Sequence, residues 1–362
     1  MKRLTKKVLA TALTTVFAFA AFAEEGISFN GYIRAGLEGN LDKETVDTTT
    51  FHDGYYYGHA SSRLRLNLDI DKGQYGVNLR YQANKFGYGS GDSNNAFFNP
   101  ENIRYAVGYA KLFDDKFIVV SGKLKDKYTS ADGYDSYNLA ENSGKTDVFG
   151  VTFTFVPVNN LFLTAQLSTL NADKYVAGDS KVTSGKAKAG QVKFNEKILA
   201  FSAKYVDDVI TVAGGYSLSG QGYGFFKYKD IENIALEVEA KYLSKDLSDK
   251  TDKDGKKTFL LKVSEKVAFQ KDEFEVGVLA YETLIKDANE YEIYPFASYK
   301  VTDVVSVVLE AGIKTFEEDN KDTTYSVTPS VVFNVGKANV RAFFNYDKDA
   351  KASIGTTTKV SF

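Results

Sequence analysis

Apolar and polar residues alternate strictly in one short segment of this chain after another. In the first such segment, the apolar members are Ile27, Phe29, Ile33, Ala35 and Leu37, and the polar members are Ser28, Asn30, Tyr32, Arg34 and Glu38. A period of two is typical of a strand with one face in an apolar medium and the other in a polar one. The same pattern recurs at 62–71, 75–84 and 304–314. The chain is therefore predicted to be all-β.

Residues 1–23 have the pattern of a cleaved secretory signal peptide, with an apolar core at 8–20 and the small-x-small site Ala-Phe-Ala at 21–23. Its basic residues are Lys2, Arg3, Lys6 and Lys7. The alternative is a membrane anchor, but the apolar run is shorter than the about 20 residues that a spanning helix needs. Cleavage removes these four charges and takes the formal net charge from −2 to −6, which argues against a nucleic-acid partner.

Cysteine is absent, and His52 and His59 are the only two histidines. Thiolate chemistry is therefore excluded, and a histidine-based catalytic site has few options. We expect no enzyme activity, no cofactor and no metal, with both histidines as exposed polar residues of the first long loop and a surface metal site as the alternative. Residues 252–255, Asp-Lys-Asp-Gly, are a fragment of a calcium-loop pattern without its distal Glu, and a solvated loop is the simpler interpretation.

Short charged turns alternate along the chain with longer Gly/Ser/Asp-rich segments. The eight short turns are predicted at 71–74, 114–116, 159–160, 207–208, 230–233, 270–272, 302–303 and 334–337. The nine longer segments are predicted near 39–58, 86–102, 125–146, 171–196, 219–223, 244–257, 284–290, 316–323 and 347–351. Eight turns and nine loops connect about eighteen strands. Residues 191–194 could be a strand of their own, but this would break the alternation of long and short connections, so we assign them to the fourth loop. Sixteen strands remains an alternative.

An exported chain of alternating strands, with short turns on one side and longer loops on the other, is typical of a bacterial outer-membrane β-barrel. The predicted architecture is therefore a transmembrane antiparallel barrel over 24–362, without a further domain at either end, in contact with outer-membrane lipid. A soluble β-sandwich or β-helix is the alternative. Charges on the lipid face near the midplane cost about 2–4 kcal/mol each, so the charged face is expected to line a water-filled lumen.

Six arginines remain after the signal peptide, and five of them fall in the first four predicted strands. They are Arg34, Arg63, Arg65, Arg80 and Arg104, with Arg341 in the penultimate strand, which closure of the barrel brings near the first. The alternation predicts that all six point into the lumen. Arginine stays charged and presents a rigid fork of donors to carboxylate or hydroxyl groups. We therefore expect a cationic wall along one side of the pore.

The third long segment, 125–146, is a candidate constriction loop. Its acidic and aromatic residues of interest are Asp126, Asp132, Asp135, Tyr137 and Glu141. Acids on an inward-folded loop that faces an arginine wall would produce a transverse field across a narrow aqueous pore. The alternative is that these are solvated loop charges and salt bridges that fill the lumen.

The last residues, Thr358-Lys359-Val360-Ser361-Phe362, form an alternating strand that ends on an aromatic residue. This ending resembles the assembly signal of bacterial outer-membrane proteins. The resemblance implies recognition of Phe362 by the barrel-assembly machinery.

Residues 31–36, Gly-Tyr-Ile-Arg-Ala-Gly, resemble the first-strand motif Gly-Tyr-x-Arg-Ser-Gly of maltoporin-type sugar porins, with Ala35 in place of Ser. Gly122-Lys123 followed by Asp135-Ser136-Tyr137 resembles the segment of that family that leads into the constriction loop. The resemblance implies that Tyr32 stacks on sugar rings, that Arg34 binds hydroxyls, and that Asp135 and Tyr137 line the opposite side. The absence of Trp means that an aromatic path would consist of Tyr and Phe alone.

Together these patterns predict a porin that passes small hydrophilic solutes or ions passively through the bacterial outer membrane. A substrate-specific maltooligosaccharide channel is one alternative, and a surface adhesin or antigen on a barrel scaffold is another. Porins of this size are usually trimers, so a homotrimer is expected by family analogy.

Overall fold

The structure is a computed structural model, and it describes residues 25–47, 50–52, 59–84, 103–124, 149–168, 199–218, 220–245, 248, 250–252, 254–286, 288–317, 321–348 and 351–362. Within these residues there are twenty-one strands and no helix. In the same residues no helix is long and apolar enough to cross a membrane.

The strands are β1 (Ile27–Asn40), β2 (Thr45–Asp47), β3 (Thr50–His52), β4 (His59–Ser61), β5 (Arg63–Asp71), β6 (Tyr75–Asn84), β7 (Ile103–Leu112), β8 (Phe117–Lys123), β9 (Phe149–Phe155), β10 (Leu161–Ser168), β11 (Leu199–Val206), β12 (Ile210–Ser217), β13 (Gln221–Tyr228), β14 (Ile234–Leu243), β15 (Leu260–Lys271), β16 (Phe274–Leu284), β17 (Glu290–Lys300), β18 (Val305–Phe316), β19 (Thr324–Val335), β20 (Ala338–Asp347) and β21 (Lys351–Ser361).

Eighteen of these described strands, β1 and β5 to β21, form one closed antiparallel barrel. Each pairs with its neighbour in the chain, and β1 closes the ring by pairing with β5 on one side and β21 on the other. The short strands β2, β3 and β4 belong to the first loop. In the described ring β10 pairs directly with β11 and eighteen strands close the barrel, so the prediction of about eighteen strands is confirmed. Residues 191–194 lie outside the described residues.

The closing seam holds the C-terminus. Gly31 N–H donates to the Phe362 carbonyl at 3.1 Å, and Phe362 N–H donates to the Gly31 carbonyl at 3.0 Å. The ring of Phe362 stacks on Phe29 with centroids 6.1 Å apart. Phe362 therefore terminates the last strand of the ladder, while its recognition by the assembly machinery stays a prediction.

The eight predicted short turns all lie between consecutive barrel strands, at one end of the barrel. Several contain residues with positive φ, including Gly73, Asn160 and Asn233. Glycine and asparagine tolerate this left-handed region better than other residues, which explains why they occupy tight turns. Asp207 accepts the backbone N–H groups of Val209 and Ile210 at 2.8 and 2.6 Å, and these bonds lower the pKa of its carboxyl.

The outward face of the barrel is apolar and ends in aromatic residues at both rims. Exposed aromatic residues near the turns are Tyr205, Phe269, Tyr299 and Phe333, and those near the loops are Tyr242, Tyr291, Tyr325 and Tyr346. Exposed aliphatic residues such as Val212, Val267 and Leu309 lie between them. An apolar band between two aromatic girdles is the surface that contacts lipid in outer-membrane barrels.

Candidate functional site: the lumen wall

Arginines of three adjacent strands share one region of the lumen face. Arg34 of β1 pairs with Arg63 of β5, and Tyr32 pairs with Arg65 one step lower. In the next strand, Arg80 of β6 pairs with Asn67 of β5. Directly paired residues point to the same side of a sheet, so these side chains lie together. We name Arg34, Arg63, Arg65 and Arg80 the arginine strip.

Two members of the arginine strip are held by neutral groups. Arg65 donates from Nε and Nη2 to the amide oxygen of Gln82, at 2.9 and 2.6 Å. Arg80 donates from Nε to the amide oxygen of Asn67 at 2.7 Å, and its guanidinium lies 4.8 Å from the centre of the Tyr105 ring. These contacts fix the position of each guanidinium without neutralising its charge.

Tyr32 lies among cations. The guanidinium of Arg65 lies over its ring at 5.2 Å, and the ammonium of Lys359 lies over it at 5.1 Å from the strand on the other side of β1. Arg63 also donates to the Tyr32 hydroxyl at 3.3 Å. The ring therefore contacts cations from both neighbouring strands, and a sugar ring that stacks on Tyr32 would have to displace one of them.

Arg104 and Arg341 are not part of the arginine strip. The pairing of β6 with β7 shifts at Arg80, which faces Tyr105 and leaves Arg104 as the extra residue of a β-bulge. Arg341 is buried and forms an ion pair with Glu310, from β20 to β18.

Two acidic residues that the sequence analysis did not identify lie on the wall of the lumen opposite the arginine strip. Glu237 and Glu239 are on β14, which lies nine strands from β5 in the eighteen-strand ring of the described structure. Arg65 lies six positions from the turn end of its strand at Asp71, and Glu239 lies five positions from the turn end at Ile234. The acids and the arginines therefore face each other across the lumen at similar heights.

Both acids are buried in the lumen wall, and Glu237 forms an ion pair with Lys227 of β13. The run Leu236-Glu237-Val238-Glu239-Ala240 alternates as clearly as the first strand does, so its orientation could have been predicted. The sequence does not show how the barrel closes, and only the closed ring places β14 opposite β5.

The acidic and aromatic residues of the candidate constriction loop, Asp126, Asp132, Asp135, Tyr137 and Glu141, lie outside the described residues. The chain that leads to them is described as far as Leu124. Gly122 has a φ of 136°, and a side chain there would overlap the Ala106 carbonyl of the facing strand. Leu124 is fully buried in an apolar cluster with Val107 and Val120.

A second aromatic group lines the lumen on β16 to β18. The rings of Tyr281 and Tyr294 meet edge to face with centroids 5.9 Å apart. The Tyr294 hydroxyl donates to Glu292 at 2.5 Å, and Lys314 donates to both Glu290 and Glu292 at 2.9 Å. Polar and aromatic groups thus alternate on this part of the wall.

The remaining candidate residues from the sequence are Asp252 and the two histidines, His52 and His59. Asp252 accepts the backbone N–H groups of Asp254 and Lys256 at 3.0 and 2.9 Å, so its carboxylate closes its own turn. The backbones of His52 and His59 pair in the first loop. Among the described residues there is no group of three or more potential His, Cys, Asp or Glu metal ligands.

Known proteins resemble this chain in structure but not in sequence. No protein-family model and no curated protein matches the chain. Solved structures that resemble it include OccK10 (OpdN) of Pseudomonas aeruginosa, with 8% identity, a TM-score of 0.51 and coverage of 93% of this chain and 99% of that one. OccAB3 of Acinetobacter baumannii has 11% identity, a TM-score of 0.51 and the same coverage. OmpT, an outer membrane protein of Vibrio cholerae, has 12% identity, a TM-score of 0.47 and coverage of 94% and 99%.

The fold is an outer-membrane β-barrel. With its apolar outer band and its polar lumen, the chain crosses the outer membrane many times.

Proposed function

We propose that the protein is a porin-type channel through which small hydrophilic solutes diffuse passively, with anions favoured over cations. The observation that carries the proposal is the arginine strip on the lumen face, with Glu237 and Glu239 on the wall opposite. Such a channel needs no chemical step, cofactor or catalytic residue.

The preference for anions follows from where the charges lie. Arg65 and Arg80 have neutral partners in the described contacts, so their positive potential extends into the lumen. Salt screens any charge that lies farther from a solute in the lumen than the Debye length of about 8–10 Å. The local charge of the arginine strip therefore outweighs the negative net charge of the whole chain.

We further propose that segment 125–146 narrows the pore next to the arginine strip. Support comes from Leu124, which is fully buried just before this segment, and from Gly122, which has a φ of 136° near the end of β8. Acids of this segment near the arginines would produce a transverse field across the pore.

Reversal potential under a salt gradient across a planar bilayer tests the proposed selectivity. We expect the purified protein to conduct and to give a reversal potential of the sign that indicates anion preference. A cation-selective channel would contradict the proposed role of the arginine strip, and a barrel that never conducts would favour the adhesin interpretation instead.

A carbohydrate channel is the second candidate, and the Tyr281–Tyr294 pair is the observation in its favour. Aromatic rings bind the apolar faces of sugars, and Glu292 beside them offers acceptors to hydroxyls. Because cations cover Tyr32, the tyrosine pair is a better candidate for sugar stacking than Tyr32. Maltooligosaccharides should then block the current, and Tyr281→Leu should weaken the block, while Tyr299→Leu on the lipid face should leave it unchanged.

A further inference from the structure

Among the described residues, five aromatic rings on the lumen face each lie over a glycine of a neighbouring strand. A Cβ added at any of these glycines would come within 2.5 to 2.9 Å of the ring, so the ring fills the space that a side chain there would need. In every case the glycine and the aromatic residue stand opposite each other in the register of the two strands. The pairs are Gly76–Tyr109, Gly215–Tyr223, Gly277–Phe296, Gly312–Tyr294 and Gly355–Phe343. We name the five rings the seated rings, and each glycine the seat of its ring.

The seats let the rings lie along the wall of the barrel. Side chains on a strand ordinarily stand roughly perpendicular to the sheet, and on the lumen face this direction points into the pore. A ring that leans over a glycine of the next strand, about 4.8 Å away, stays against the wall instead. Phe296 and Phe343 are accordingly only 3% and 4% exposed.

Four of the seated rings lie at about the height of the arginine strip. They are four to six positions from the turn ends of their strands, and Arg65 is six positions from the turn end of its own strand. The four are Tyr223, Tyr294, Phe296 and Phe343. They belong to β13, β17 and β20, whereas the arginine strip belongs to β1, β5 and β6. The rings and the strip therefore line the same level of the lumen from different sides.

We propose that the glycine seats set the width of the channel at this level. Each seat holds a ring against the wall, and a side chain at the seat would push the ring into the path of the solute. The inference rests on the proposed channel function and adds to it the residues that determine the size limit for solutes. Selection by charge stays with the arginine strip.

Gly312 is the seat at which this effect can be isolated. The atoms nearest to a Cβ there are the Ser326 hydroxyl oxygen at 2.8 Å and two atoms of the Tyr294 ring at 2.9 and 3.1 Å. All three belong to side chains. At Gly277 and Gly355, a backbone carbonyl oxygen also lies within 2.6 Å of the added Cβ, so a substitution would distort the strand ladder itself.

Alanine at position 312 leaves the Tyr294 ring one direction in which to move. The Ser326 hydroxyl can rotate away from the new methyl group, but the ring of Tyr294 cannot turn to the opposite side. There Leu279, which pairs with Tyr294 on β16, is fully buried and fills the space. The displaced ring therefore moves into the lumen.

Single-channel recording of the full-length variant Gly312→Ala tests the proposal. We expect a loss of unit conductance and exclusion of neutral polyethylene glycols at a smaller size than in the wild type, with an unchanged reversal potential. Removal of the ring in Gly312→Ala/Tyr294→Ala should restore both quantities. Gly224→Ala is the matched control, because Gly224 points outward on β13 and a Cβ there meets no heavy atom within 4 Å. It should change neither quantity.

Urea unfolding of the same variants tests the seat without any current. Gly312→Ala should lower stability in the wild type, where the methyl group meets the ring. In the Tyr294→Ala background it should not lower stability, because alanine is the better strand residue once the ring is gone.

Equal losses of stability in the two backgrounds would overturn the proposal, since Tyr294 would then not depend on its seat. A folded Gly312→Ala channel with the conductance and size limit of the wild type would overturn it as well. A wild-type barrel that carries no current would contradict the proposed function and, with it, the role of the seats in channel width, even if the unfolding comparison shows that Gly312 seats Tyr294.

Discussion

Replacing Arg65 and Arg80 together by glutamine tests how the lumen selects charge. Glutamine keeps a polar side chain of similar reach, so the neighbouring amides of Gln82 and Asn67 retain a possible partner. The substitution removes two positive charges from one side of the lumen and leaves the outward lipid-facing surface unchanged. Folding should therefore be preserved, and selectivity should change.

The size of the effect can be worked out from Coulomb's law. A monovalent anion that passes about 5 Å from a guanidinium in water gains about 0.8 kcal/mol. Screening at physiological ionic strength reduces this to about 0.4 kcal/mol. Because each arginine attracts an anion and repels a cation, it separates the two by about 0.8 kcal/mol, and two arginines separate them by about 1.6 kcal/mol. That energy corresponds to a change of about ten-fold in the anion-to-cation permeability ratio.

The assay is the reversal potential of single channels under a salt gradient. The double variant should shift towards cations by about ten-fold in permeability ratio, and the shift should shrink as salt rises. The matched control, Lys116→Gln with Lys229→Gln, removes the same charge from exposed turns and should leave the reversal potential unchanged. Equal reversal potentials in the wild type and the Arg65/Arg80 variant would refute the reasoning.

Three further predictions concern stability. Gly122→Ala should destabilise the barrel by about 1–3 kcal/mol, because φ is 136° there and a side chain would overlap the facing carbonyl; urea unfolding measures this, and a neutral result would contradict it. Glu310→Ala should cost about 3–5 kcal/mol by leaving Arg341 buried without its ion pair, and Glu310→Leu with Arg341→Met should recover most of the loss. The pKa of Asp252 is lowered by backbone N–H donors, so its turn is stabilised above the ordinary pKa and loses this support as pH falls through the lowered value. Limited proteolysis of the loop around Asp252 should therefore increase only below about pH 4, and Asp252→Ala should show the increase at neutral pH.

The barrel itself could be predicted from the sequence because two local signals repeat. Alternation assigns the two faces of each strand, and charged turns with glycine or asparagine mark where strands reverse. The sequence left sixteen strands as an alternative to eighteen, and the closed ring of eighteen described strands, in which Leu161 pairs with Tyr205 and Leu167 with Leu199, resolved it. Such pairing is a contact between distant segments, which local patterns do not encode.

The candidate site could be predicted only in part. Alternation placed Arg34, Arg63, Arg65 and Arg80 on one face, and the structure brings them together. The alternation does not reveal the β-bulge in which Arg104 is the extra residue, because a bulge depends on the register of two strands.

Ring closure accounts for what the sequence analysis missed. Glu237 and Glu239 face the arginine strip only because β14 lies nine strands away in the described ring. Glu265 breaks the rule that charged residues point to the lumen. This exception can be recognised in the sequence only after the residues of β15 that face the lumen have been assigned.

Single-channel conductance of the purified protein in a planar bilayer tests the central claim most directly. An open aqueous lumen predicts stable steps of current that rise linearly with salt concentration and reverse at a potential showing anion preference. A correctly folded barrel that inserts into the bilayer and carries no current would contradict the account.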